Sequence, residues 1–72
     1  MDLLEIETKR KMRREEAAEV LREIADALSR QNSLQFDREG KNVVVRVPDQ
    51  VEVEIELDVE DEGGSLEIEI NW

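Results

Sequence analysis

The sequence predicts an α+β domain of two layers. One helix rests on one face of a mostly antiparallel sheet of four to five strands, in the order β-α-β-β-β-β. Within residues 14–30, Ala17, Val20, Leu21, Ile24, Ala27 and Leu28 fall three or four positions apart and form one apolar helical stripe. From Val51 to Val59, and again from Leu66 to Trp72, aliphatic residues alternate with acids, which is the period of a strand with one face buried. Gly40, Pro48 and the pair Gly63-Gly64 stand between the apolar runs, where the chain must turn or break a ladder.

Residues 3–8, Leu-Leu-Glu-Ile-Glu-Thr, predict a short strand with Leu4 and Ile6 inward. The basic run Lys9-Arg-Lys-Met-Arg-Arg14 leads into the helix over 14–30. Glu15 and Glu16 suit its positive end, and Arg22–Asp26 and Asp26–Arg30 are spaced as ion pairs one turn apart. No Ser, Thr, Asp or Asn stands at the expected cap position, so the helix start is weakly fixed. Gln31-Asn-Ser33 closes the helix, and Leu34 and Phe36 alternate into a short strand. A turn over Asp37–Asn42 uses Gly40, and Val43–Val47 returns. After Pro48-Asp49 comes a long hairpin turning at Asp61-Glu-Gly-Gly64. Closing it symmetrically on Glu62-Gly63 sets Val59 against Leu66, Leu57 against Ile68, Ile55 against Ile70 and Val53 against Trp72. On its other face Asp58 then opposes Glu67, and Glu56 opposes Glu69.

Composition bounds the function. Residues 1–72 make one domain, near the lower size limit, and such a chain hides only about 60–65% of its unfolded surface. With no cysteine and no histidine, disulfides, thiolate metal sites and the side chain best suited to proton transfer near neutral pH are all missing. No apolar run approaches the roughly 20 residues that span a bilayer. The first residues carry acids where a secretory signal carries bases. The expectation is a soluble, cytoplasmic protein that makes no membrane contact.

Charge is divided sharply. Residues 1–48 hold ten acids and ten bases, while Asp49 to Trp72 holds ten acids and no base, so the whole net charge of −10 lies in the C-terminal segment. Its alternation makes one face aliphatic and the other a field of carboxylates: Glu52, Glu54, Glu56, Asp58, Glu67 and Glu69. Like charges directly opposite one another destabilise a sheet, and a lysine-glutamate alternation would do the opposite. The all-acid choice therefore asks for a cause outside the fold: salt, a cation or a basic partner.

The segments Arg14-Glu-Glu-Ala-Ala18, Ile24-Ala-Asp-Ala-Leu28, Val47-Pro-Asp49 and Leu66-Glu-Ile-Glu-Ile-Asn-Trp72 together resemble the amphi-Trp domain family. They lie in the family's order and spacing over nearly the whole chain. The family's name refers to an amphipathic last strand ending at tryptophan, and Trp72 matches that position. The resemblance implies a small acidic domain of unknown function, of a kind found mainly in archaea and above all in halophiles. Arg13 departs from the Ser or Thr cap that the family pattern implies, and the run Lys9–Arg14 is more basic than that pattern.

Asp58-Val-Glu60-Asp-Glu62-Gly63, with Glu69 beyond, has the spacing of an EF-hand loop, but such a loop joins helices and this one joins strands. Loose, non-specific cation binding fits the acidic face better than a dedicated metal site. Paired carboxylates on adjacent strands evoke glycosidases, yet that chemistry needs one acid in an apolar pocket beside a cleft. Ser29, Ser33 and Ser65 have no base to activate them. No catalytic residue, metal site or cofactor is expected. Lys9–Arg14 suggests a nucleic-acid contact, but the negative field and the lack of stacking aromatics weigh against direct binding. Trp72 shares a face with Leu66, Ile68 and Ile70, so it closes the apolar layer, with a second role open as a partner anchor.

The expectation is a non-enzymatic interaction module that docks a basic protein surface through Glu52, Glu54, Glu56, Asp58, Glu67 and Glu69, with Trp72 at the rim. Two alternatives remain open. One is an inhibitor whose carboxylates imitate the phosphates of DNA, and the other is a salt-adapted domain with no partner. The sequence leaves the oligomeric state undetermined.

Overall fold

The structure, a computed structural model, describes residues 6–72. Its architecture is α+β, a helix followed by four antiparallel strands. The strand expected at residues 3–8, with Leu4, lies mostly outside the described range, and its described part, Ile6 to Thr8, has no regular structure.

Helix α1 spans Arg14–Asp26 and runs on into a five-residue π-wound turn, Ala27–Gln31. Its start is bare, as the missing cap residue predicts: Arg13 is extended and makes no side-chain cap bond, although its carbonyl accepts from the Ala17 N–H at 3.0 Å. Asn32 ends the helical run in the left-handed region, φ 53°, a conformation that asparagine adopts more readily than most residues. The helix surface carries one ion pair a turn apart, Arg22 to Glu19 at 2.9 Å, where the spacing had suggested Asp26. The π turn widens the spacing beyond Asp26, so Asp26 and Arg30 no longer stand one α-turn apart.

Strands β1 (Ser33–Arg38) and β2 (Lys41–Arg46) form a tight hairpin closed by Glu39 and Gly40. Both turn residues have positive φ, 52° and 78°, the geometry whose twist matches that of the flanking strands. The pairs Leu34↔Val45 and Phe36↔Val43 set four apolar side chains on one face. That face meets the helix stripe: Val20, Ile24 and Ala27 line one hollow together with Leu34 and Phe36. The ladder is prolonged by Val47, whose N–H donates to the Asn32 carbonyl at 2.9 Å. Val47, at 9% exposure, is the one buried apolar residue among those described.

Strands β3 (Glu52–Glu60) and β4 (Gly63–Asn71) form the long hairpin. Its register differs from the symmetric closure by two residues. The turn is Asp61-Glu62, and the aliphatic pairs are Val53↔Ile70, Ile55↔Ile68 and Leu57↔Leu66. The reason lies in the glycines. They do not serve the turn, since neither Gly63 nor Gly64 takes positive φ. Gly64 instead lets the strands close, because a Cβ there would stand 2.9 Å from the Asp58 carbonyl oxygen. A slip of two leaves every side chain on its own face, so the division into aliphatic and acidic sides holds.

The four strands do not merge. They make two separate sheets of two strands each, instead of one sheet of four to five. The helix rests on the short hairpin and leaves the long one largely uncovered. Exposure climbs from 41% at Val51, just before β3, through 54, 67 and 71% to 74% at Val59. The long hairpin is thus an arm held at its open end. There Leu28, Val47, Pro48, Val51 and Ile70 line a common hollow, and Ile70 is half-buried. The placement of Ile55, Leu57 and Ile68 under the helix is therefore corrected: all three are exposed in the single chain. Alternation records which face is apolar, but it carries no information about what covers that face.

Candidate acidic face

The carboxylate face is built by β3 and β4 alone. Glu54↔Glu69 and Glu56↔Glu67 stand directly opposite one another, and all four are exposed. The register moves the flanking acids next to uncharged partners: Glu52 opposes Asn71, and Asp58 opposes Ser65. The Asn71 amide donates to Glu69 Oε1 at 2.8 Å, the hydrogen bond that ties the end of this row together. Glu52, Glu54, Glu56, Asp58, Glu67 and Glu69 thus share one face, as the alternation predicts.

No base among the described residues neutralises them. Among the described residues the ion pairs are Arg13–Glu15 at 3.7 Å, Arg14–Glu15 at 3.2 Å and Arg22–Glu19, all on or beside the helix. Lys9, Arg10 and Lys11 are exposed, in chain without regular structure, and form no ion pair with a described residue. Among the described residues the acids of the arm therefore stand apart from the bases.

At the tip of the arm, Asp58, Glu60, Glu62 and Ser65 line a shallow hollow beside Gly63 and Gly64. This is the stretch with EF-hand spacing. Among the described residues no three acids gather closely enough to hold a metal ion. The reason is local: extended backbone points Asp58 and Glu60 the same way but spreads them along the strand, whereas an EF-hand loop curls its ligands inward.

Trp72 stands away from the carboxylate row. It follows the last paired residue, Asn71, and lines a hollow with Ile6, Leu34, Phe36 and Val45. At 58% exposure it borders the apolar face of the short hairpin across this hollow and stays largely in solvent. Its position at the junction, opposite no residue of β3, was not legible from a pairing that set it against Val53; the turn register decides this. No described helix is long and apolar enough to cross a membrane.

The family model of the Amphi-Trp domain matches residues 2–72. No curated protein and no solved structure matches the chain.

Proposed function

The chain belongs to the Amphi-Trp domain family, and from that premise we propose that it is a non-enzymatic interaction module whose acidic arm docks a basic surface of another protein. One observation carries this reading: Glu54↔Glu69 and Glu56↔Glu67 face each other without a neutralising base among the described residues, an arrangement that costs stability in the free chain. A basic partner removes that repulsion on binding, so affinity gains from a strain the free domain carries. Charge complementarity of this kind chiefly raises the association rate and rejects acidic partners. Glu52 and Asp58 extend the row, and Trp72 lies at the anchored end of the arm, clear of its centre.

The test is capture of partners from the native cell across a KCl gradient, with Glu54→Lys and Glu56→Lys as the reversal. Retention should fall steeply with salt, and the double variant should lose about tenfold or more in affinity. Partners held equally at low and high salt, or held equally by the variant, contradict the reading. Displacement of a captured enzyme by duplex DNA would instead identify a phosphate mimic. Folding that improves with KCl in circular dichroism, with no partner captured, would mark the acids as salt adaptation alone.

A further inference from the structure

The aliphatic face of the arm is independent of the carboxylate face and raises a separate question. Val53, Ile55, Leu57, Leu66 and Ile68 form a continuous uncharged surface, more than half exposed at most positions. We propose that this face is covered by a second copy of the chain, so that the protein is a closed homodimer with the two acid faces outward.

Area argues for it first. A folded monomer of 8.4 kDa exposes about 4,600 Å² by the size scaling of monomeric proteins. This chain exposes 7254 Å². Against an unfolded surface of about 12,000 Å² it hides about 40%, where even the smallest self-sufficient domains hide about 60%. The radius of gyration agrees: 14.2 Å, where the compact scaling gives about 11 Å. The surplus, summed over the whole chain, is near 2,600 Å² by the same scaling, so two chains together have about 5,200 Å² to hide, at the upper end of obligate homodimer interfaces, which run from about 2,000 to above 5,000 Å².

The size of that deficit selects the partner. A chain that hides so little alone needs its cover wherever it folds, and a second copy is present whenever the first is. The face also suits self-association by its chemistry. It bears no charge to oppose itself, and an isologous two-fold contact needs only that one patch complement its own image. Stacked face to face, two sheets lie about 10 Å apart. Their carboxylates then point away from each other, separated by more than the Debye length of about 8 Å at physiological salt. A basic partner, by contrast, has nothing to recognise on an uncharged aliphatic surface.

The experiment is light scattering and thermal melting of the purified full chain in KCl buffer over a hundredfold dilution. The expected mass is about 17 kDa, twice that of one chain, and dilution should lower Tm by roughly 5–10 °C, as a melt coupled to dissociation requires. Ile55→Glu and Leu57→Glu should abolish the two-chain mass, while Glu54→Gln with Glu56→Gln on the opposite face should preserve it. Wild-type chain of single mass with a concentration-independent melt overturns the proposal, and this measurement needs no variant to fold. A two-chain mass that survives Leu57→Glu, or an open-ended assembly instead of a closed pair, overturns it as well. Loss of basic-partner capture leaves this result untouched, because the two readings use opposite faces of the arm.

Discussion

The two hairpins share one topology and one kind of inward residue, yet their surroundings differ. In β1–β2, Leu34, Val43 and Val45 are half-buried, and Leu34 and Val45 line hollows shared with the helix or with Trp72. In β3–β4, residues of the same type become more exposed with each step from the anchor to the tip. Their turns differ too. The short hairpin uses two left-handed residues, Glu39 and Gly40, whereas the long one turns at Asp61-Glu62 without positive φ and uses glycine for strand approach. Side-chain alternation alone therefore defines a ribbon, and a buried core appears only where a second element comes within reach.

The sharpest way to break this contrast is at the anchor. Val47→Asp would put an unpaired carboxylate at the most buried apolar site, beside the hollow that holds Ile70 and Leu28. A loss of about 3–5 kcal/mol is expected, enough to erase a cooperative melt in a domain this small. A melt that survives would mean that the junction is not where the two hairpins depend on each other.

Next are the glycines of the long hairpin. Gly64→Ala meets the Asp58 carbonyl at 2.9 Å and should cost about 1–3 kcal/mol. Its neighbour should behave oppositely. Gly63 has open space and no left-handed φ, so Gly63→Ala should gain about 0.4–1 kcal/mol by restricting the unfolded chain. Denaturant midpoints of the two variants check the register directly, because a turn centred on Glu62-Gly63 would not produce opposite signs. The smallest effect concerns the helix start: Arg13→Ser supplies a missing cap and should add about 1 kcal/mol, read as a higher Tm.

Much of this was legible in the residues. The stripe from Ala17 to Leu28 located the helix to within a residue or so, because the 3.6 period of a helix and the period of two of a strand are hard to confuse over that length. Alternation also placed all six named acids on one face. Two things were not legible. The register was set by Gly64 and its clearance from a backbone oxygen, a steric fact with no trace in hydropathy. The separation of the strands into two sheets was hidden because Pro48-Asp49 reads equally as a bend within one sheet or as a break between two.

The slip of two residues has a corollary for how such an arm can change over generations. A ribbon of repeating Ile-Glu units is indifferent to the number of units. Inserting or deleting one dipeptide in each strand lengthens or shortens the reach by two rungs and leaves the base, the bend at the far end and both surfaces as they were. Losing a single residue from one strand would turn every side chain beyond the cut inside out. Lengths of this arm in kindred chains should therefore differ in even steps.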